Sequence, residues 1–277
     1  MAEGVGTMAE GIQSGLVQAT QIAREVTAQH SPNGVRYAAF GETAIDLADL
    51  ERLVQAVPAS IAAALTRKTY YFIPLAMAEG RTAESTVPRS STEETLISPT
   101  YTTELADLAI CHRNVVLGPE KKAAEGVFIS TRLLNDRFSL AFEFFINVGH
   151  AFVEEAGVPS SFSELAWQQA LADVRGETSQ DAWETRSQAI SGGESATRDG
   201  KTRIDEKART EYLEAAFADT VAIYMLSLAV DFDYSELRER EYPLLAPQAL
   251  AERLRLAAGL FPANSGYEFA IRYRRRA

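Results

Sequence analysis

The spacing of apolar residues along the chain predicts helices separated by short strands. Between residues 46 and 65, apolar side chains recur every three or four positions, which is the period of a helix. Pro58 interrupts this pattern, so we expect either a kink or two shorter helices there. The same criterion predicts further helices at residues 12–29, 138–156, 160–174, 205–230 and 247–260.

Strands are predicted mainly in the first half of the chain, where β-branched and aromatic residues cluster. The four runs are VRYAAFG (35–41), TYYFIPLA (69–76), ADLAICHRNVVLG (106–118) and EGVFIS (125–130). Helices therefore dominate, with a few strands in the first half, and this order predicts an α+β fold.

Polar stretches divide these elements. Residues 80–99 are rich in Ser, Thr and Glu, which predicts a loop. Residues 175–204 show little periodicity, so we expect a mobile loop there with a short amphipathic piece at Trp183. The turn signal SPNG at 31–34 suggests an N-terminal helical extension, residues 1–34, followed by one domain of residues 35–277.

Composition and charge narrow the class of partner. The 277 residues carry a net charge of −11, and an acidic surface repels phosphate backbones, so no nucleic-acid partner is expected. No apolar run reaches the roughly 18–20 residues that span a bilayer, so no membrane span is expected. The single cysteine allows no internal disulfide, and the N-terminus lacks the composition of a secretory signal. We expect a cytoplasmic protein, or one exported by a specialised secretion system without a cleavable signal.

The predicted helix at residues 138–156 is apolar on almost every side, which is typical of a buried helix. One polar seam breaks this pattern, because Glu143, Asn147, His150 and Glu154 follow one another at i, i+4, i+7 and i+11. Buried polar groups need partners or a wet cavity. We therefore expect this helix to line a groove with Asn147 and His150 at its floor. Gly149 weakens the helix unless a close approach requires it.

A second unusual position is Asp219, the only charged residue between positions 215 and 230. An ionised carboxylate inside such an apolar helix needs a partner. His150 is one candidate, because an imidazolium or a shared metal ion would satisfy both side chains. The alternative is a carboxylate that only bonds a backbone amide, a Tyr hydroxyl or an Arg, and residue types alone favour this alternative.

Two short motifs on these helices resemble those of zincin peptidases, and among them the anthrax-lethal-factor-like family. Residues 148–152, VGHAF, match the second half of the family's HExGH motif, and residues 217–219, FAD, match its F-A-E segment with Asp in place of Glu. The resemblance covers roughly residues 35–260. It implies a zincin-like fold, with a small mixed sheet packed on a buried active-site-type helix and a helical C-terminal half.

The chain departs from the family at positions that matter for chemistry. Ile146 stands where the family has its first zinc-binding His, and Asn147 stands at the position of the general base. A catalytic zinc site needs about three protein ligands and an open position for water. Because Asn cannot accept a proton from zinc-bound water, the general-base step is lost as well.

The resemblance therefore implies an inactive copy of the domain, because the family contains non-catalytic copies that bind partner proteins. We expect a pseudo-peptidase domain that binds a protein or peptide partner through the former substrate groove. No cofactor is expected. The expected groove residues are Glu143, Ile146, Asn147, His150 and Tyr212.

A remodelled metal site is the alternative. His150 and Glu154 lie at i and i+4 and can chelate one ion together, and Asp219 would complete a set of one His and two carboxylates. Such a set suits iron or manganese as well as zinc, and the chain would then be a metal-dependent hydrolase or another metalloenzyme. A third hypothesis is a metal-free enzyme or small-molecule binder that reuses the groove.

Overall fold

The computed structural model describes residues 15–43, 45–78, 95–103, 111–117, 124–131, 136–191, 204–237 and 242–271. Within these residues the chain has eight strands and eight α-helices, so the α+β class is confirmed. The chain divides into two compact units. Unit 1 comprises residues 1–55 and 66–140, and unit 2 comprises residues 56–65 and 141–277.

All eight strands of the described chain lie in unit 1. In chain order they are β1 (Val17–Gln18), β2 (Gln29–His30), β3 (Arg36–Ala39), β4 (Lys68–Ile73), β5 (Leu75–Ala78), β6 (Thr95–Ser98), β7 (His112–Val116) and β8 (Glu125–Ser130). Five of them form a mixed sheet in the order β2-β3-β4-β8-β7. Strands β3, β4 and β8 run parallel, whereas β2 and β7 pair antiparallel at the two edges. Every residue of the central strand β4 is buried, as expected of a strand covered on both faces.

A second, antiparallel sheet has the order β1-β6-β5. Its strand β6 lies inside the stretch predicted as a loop, so that prediction is wrong for residues 95–98, and residues 80–94 lie outside the described chain. The run predicted as one strand at 69–76 is divided at Pro74 into β4 and β5, which belong to different sheets. Proline has no N–H to continue a ladder, which explains the division.

The N-terminal part of unit 1 differs from the expected helical extension. The helix predicted at 12–29 is the seven-residue α1 (Ala19–Glu25), and residues 1–14 lie outside the described chain. The SPNG turn joins β2 to β3, with the N–H of Gly34 donating to the carbonyl of Ser31 at 2.8 Å. Gly34 has φ +97°, which glycine adopts readily. Because this hairpin pairs residues 29–30 with 36–37, the expected boundary between residues 34 and 35 falls inside a sheet.

The helical region around Pro58 is two helices, α2 (Leu47–Gln55) and α3 (Ala59–Ala62), followed by a 3₁₀ turn at 63–65. This outcome confirms the prediction from Pro58. Segment 56–65 belongs to unit 2, where Asn264 ties it down. The side chain of Asn264 accepts the N–H of Ala59 at 2.9 Å and donates to the carbonyl of Val57 at 2.7 Å.

The described part of unit 2 is otherwise built from long helices. They are α4 (Arg137–Ala156), which begins in unit 1, α5 (Ser160–Leu171), α6 (Gln180–Ser191), α7 (Glu206–Ala229) and α8 (Pro247–Leu260). Helix α7 starts at an Asp205 cap, whose carboxylate accepts the N–H groups of Lys207 and Ala208. It is long and apolar enough to cross a membrane, but 67% of its most apolar window is buried, which is typical of a core helix.

Helix α6 occupies part of the segment predicted as a loop, so the loop prediction for 175–204 is wrong at residues 180–191, and residues 192–203 lie outside the described chain. The amphipathic piece expected at Trp183 is this helix. Its buried face consists of Ala182, Arg186 and Ala189, spaced at i, i+4 and i+7. Two small side chains and one charged side chain give almost no hydrophobic periodicity, which explains the error.

Candidate functional site

The backbones of α4 and α7 meet at Gly149. A Cβ atom added to Gly149 would lie 2.5 Å from the carbonyl oxygen of Ala218, a distance that real Cβ atoms do not reach. The expectation that a close approach requires this glycine is therefore confirmed. His150 and Asp219 are the next residues along the two helices, so the two sequence motifs flank the same crossing point.

In the first half of the polar seam, the side-chain amide of Asn147 forms its hydrogen bonds within α4. The amide group of Asn147 donates to the backbone carbonyl of Glu143 at 2.7 Å and to the Glu143 Oε1 at 3.2 Å. Asn147 is 3% exposed, whereas Glu143 and Ile146 are half-buried. The residue at the family's general-base position therefore points an N–H donor at a carboxylate on its own helix.

The three residues proposed as metal ligands have different surroundings. His150 is half-buried, Glu154 is exposed and Asp219 is buried at 5% exposure. In the described residues, no three His, Cys, Asp or Glu side chains lie close enough together to hold a metal ion. The structure therefore does not bring His150, Glu154 and Asp219 together as a triad.

The carboxylate of Asp219 is bonded to hydroxyl groups. Its Oδ2 accepts from Thr178 Oγ1 at 2.8 Å, and the hydroxyl of Ser179 forms a second hydrogen bond. The sequence suggested His150, a metal ion, a backbone amide, a Tyr hydroxyl or an Arg as the partner of Asp219. The hydroxyl groups of Thr178 and Ser179 were not among these candidates. These partners were missed because Thr178 and Ser179 lie in the stretch predicted as a loop.

Burial raises the pKa of Asp219 to about 6, because the ionised carboxylate loses its hydration. The hydrogen bonds from Ser179 and Thr178 oppose this effect by stabilising the charged form. The negative charges of Asp181 and Glu177 reinforce it. Asp219 therefore titrates close to neutrality instead of in the ordinary acidic range of an aspartate.

A second buried polar group, the Glu177 cluster, lies beside these hydroxyls. It consists of Gln169, Glu177, Arg186, Tyr212 and Arg253. Arg253 donates to Glu177 Oε2 at 2.9 Å and to Oε1 at 3.3 Å, and Arg186 donates to Oε1 at 3.3 Å. The hydroxyl of Tyr212 donates to the same Oε1 at 2.9 Å. Glu177 is 0% exposed, so its charge is compensated entirely by protein groups.

Arg253 is fixed on its other edge as well. Its Nε donates to Gln169 Oε1 at 2.8 Å, and a terminal nitrogen donates to the Tyr212 hydroxyl at 3.0 Å. Burial alone would lower the pKa of Arg253, but the charges of Glu177 and Tyr212 and the hydrogen bonds to both residues together outweigh it, so the pKa is raised. Burial also raises the pKa of Tyr212.

Tyr212 was expected in a groove, but the structure places it in the interior of unit 2 with its hydroxyl among buried partners. The expected groove residues are therefore divided. Asn147 and Tyr212 are buried, whereas Glu143, Ile146 and His150 are half-buried and remain partly accessible.

Residues 174–179, here called the strap, carry Glu177, Thr178 and Ser179. The N–H of Glu177 donates to the carbonyl of Pro243 at 3.0 Å, and the N–H of Leu245 donates to the carbonyl of Glu177 at 2.9 Å. Gly176 has φ +79°, and a Cβ there would lie 2.0 Å from the carbonyl oxygen of Leu244. The strap is therefore bonded through both its backbone and its glutamate.

One sequence signal could have revealed the Glu177 cluster. Arg253 interrupts the apolar face of α8, where Leu250, Leu254 and Ala257 are buried around it. A buried arginine needs an acidic partner, as Asp219 needed a donor. Arg253 was therefore a signal of a buried partner that went unused, unlike Asp219.

The residues present do not fit a catalytic zinc ion. Ile146 has no donor atom, Asn147 directs its N–H group at Glu143, and Asp219 accepts two hydroxyl hydrogen bonds. Zinc sites are built from thiolate, imidazole and carboxylate ligands, and a catalytic site uses about three of them. His150 is the one imidazole that the family motif retains here.

Comparison with known proteins assigns no family to this chain. No protein-family model matches it, and no curated protein matches it significantly. The resemblance to zincin peptidases therefore depends on residues 148–152 and 217–219.

Proposed function

We propose that this chain is a catalytically inactive zincin-like domain that binds a protein or peptide partner. The observation that carries the proposal is the hydrogen bonding of Asp219, which stands where the zincin family has its third zinc ligand. Its carboxylate is bonded to the hydroxyls of Thr178 and Ser179 beside the crossing of the two motif helices. This arrangement suits a scaffold that keeps the geometry of the motifs without their metal chemistry.

The order of elements supports the zincin-like scaffold. A mixed sheet with parallel central strands and antiparallel edges comes first in the chain. The motif helix α4 follows, and the rest of the described chain is mainly helical. This is the order that the resemblance implies, although fold order by itself does not determine activity.

The chemistry of Asn147 argues against peptide hydrolysis. An amide has no basic site that could take a proton from water, and its N–H group already donates to Glu143. The half-buried Glu143, Ile146 and His150 offer one acidic, one apolar and one imidazole group for binding. Such a mixture suits recognition of a peptide segment with an apolar anchor and a basic neighbour.

Elemental analysis of the purified chain tests the inactive state directly. We expect far less than one equivalent of zinc, iron or manganese per chain, and no change in His150→Ala. A stoichiometric metal that is lost in His150→Ala would contradict the proposal and would support the remodelled site of His150, Glu154 and Asp219.

Selection from a displayed library of random peptides tests the binding role. We expect peptides that bind the wild-type chain and lose affinity for Ile146→Arg, because this change places a long cation on the proposed binding face. Glu155→Arg, at an exposed position of the last turn of α4, is the matched control and should bind normally. Peptides that bind all three chains equally would place recognition elsewhere.

A further inference from the structure

The strap supplies both hydroxyls that bond Asp219. Thr178 Oγ1 lies 2.8 Å from Asp219 Oδ2, and both residues are buried. Ser179 adds the second hydroxyl from the next position in the chain. Hydroxyl protons thus point at the carboxylate oxygens, which are the atoms that a bound cation would need.

Glu177 fixes the position of these hydroxyls. It precedes Thr178 directly, and its carboxylate is bonded by Arg186, Tyr212 and Arg253. The hydroxyl of Tyr242 also donates to the carbonyl of Thr178, at 3.2 Å. A shift of the strap by one residue would remove Glu177 from its arginines and the hydroxyls from Asp219 at once.

Buried ion pairs are an expensive way to hold a segment, because apolar side chains of similar size often give equal or greater stability. What a bonded carboxylate adds is a defined position along the chain. In the strap, the position fixed by Glu177 brings the two hydroxyl donors to Asp219. An apolar side chain at residue 177 would not fix this position along the chain.

We propose that the strap is an internal substitute for a metal ion: Thr178 and Ser179 occupy the Asp219 carboxylate and keep it from divalent cations. The inference rests on the proposed function, since it explains how an inactive domain retains an acid at the third-ligand position. Burial of Asp219 makes these hydrogen bonds more important, because a buried carboxylate needs partners in the protein. The two hydroxyls supply them without adding a charge.

Cobalt(II) binding, followed by visible absorption, tests the strap in the full-length chain. Ile146→His places a second imidazole four residues before His150, and two imidazoles at this spacing on a helix provide a basal cobalt site. Adding Thr178→Val and Ser179→Ala removes both hydroxyls. We expect cobalt affinity to rise by about tenfold or more, because Asp219 becomes available as a third ligand.

Two controls identify the source of the gain. Adding Asp219→Asn to the hydroxyl-free variant should return the affinity to that of Ile146→His alone. Thr178→Ser in the Ile146→His background keeps a hydroxyl and should leave the affinity unchanged. If the hydroxyl-free variant does not fold, Thr178→Val alone in the Ile146→His background replaces it, with a smaller gain expected.

Equal affinity with and without the hydroxyls would overturn the strap proposal, as would a gain that persists in Asp219→Asn or the absence of cobalt binding in every variant. The proposed function is judged separately, by the metal content of the wild-type chain. Stoichiometric metal there contradicts the inactive domain, whatever the engineered variants show.

Discussion

The seam on α4 and the Glu177 cluster each contain buried polar side chains of unit 2, Asn147 in the seam and Glu177 in the cluster, but the two are organised differently. Asn147 bonds Glu143, four residues away on the same helix. Glu177 bonds residues from α6, α7 and α8, the farthest 76 positions along the chain. A local pair leaves a periodic mark in the sequence, whereas a network assembled from several elements does not. Polar groups that hold a fold together are therefore the harder ones to find from sequence.

The largest effect is expected from removing the acid of the cluster. Glu177→Ala leaves Arg253 and Arg186 buried without their shared carboxylate, and breaking a buried pair in this way costs about 3 to 5 kcal/mol of unfolding free energy. Urea denaturation measures the loss. Glu184→Ala, at an exposed position of α6, should change stability by less than about 0.5 kcal/mol. A similar small loss in both variants would show that the cluster contributes little.

The next effect concerns pH. The folded-state pKa of Asp219 is about 6, above its ordinary value of 3.8, so between these values the folded chain retains a proton that the unfolded chain has lost. Stability from this group is present below about pH 4 and is lost as the pH rises to about 6. Asp219→Asn does not titrate. Its stability relative to wild type should rise by roughly 2 kcal/mol between pH 4 and pH 7.

Thermal or urea unfolding across this pH range measures the difference between the two chains. A flat difference would mean that Asp219 titrates alike in the folded and unfolded states. A difference that falls with pH would mean that its hydroxyl partners outweigh its burial.

Smaller changes in stability, of opposite sign, are expected at two helical glycines. Gly149→Ala forces a methyl group against the Ala218 carbonyl and should destabilise the chain by about 1 to 3 kcal/mol. Gly259→Ala, in the last turn of α8, meets nothing within 4 Å and should stabilise the chain by up to about 1 kcal/mol through helix propensity. Thermal unfolding reports both signs, and stabilisation by Gly149→Ala would argue against the close crossing.

The smallest effect is expected at Asn147. Asn147→Leu removes an amide whose observed partners lie on its own helix, and half-buried Glu143 can turn towards water. The change in unfolding free energy should stay within about 1 kcal/mol. A loss as large as that of Glu177→Ala would show that the seam supports the fold as strongly as the cluster does.

Elements with a strong pattern were predicted well from the sequence. Helix α8 matches its predicted bounds, and α7 matches within one residue at each end, because both combine apolar periodicity with a capping Asp or an initial Pro. Strand β6 was missed, and helix α6 was predicted only as a short amphipathic piece at Trp183 within a loop, since their Thr, Ser, Ala and Arg residues are buried through tertiary contacts.

The candidate site was predicted in part for the same reason. Gly149, Asn147 and Asp219 stand out against apolar surroundings on their own helices, so the sequence drew attention to them. The partners of Asp219 could not be found in this way, because Thr178 and Ser179 become significant only once the strap is placed against α7.

The distance along the chain between Glu177 and Arg253 has a consequence for biosynthesis. Because α8 follows α6 and α7 along the chain, the glutamate leaves the ribosome well before Arg253 and at first has only Arg186 and Tyr212 in reach. A nascent chain that ends before residue 247 lacks the arginine that completes the network, and closing so long a loop adds to the entropic cost. The surroundings of Asp219 therefore mature only after α8 has been synthesised.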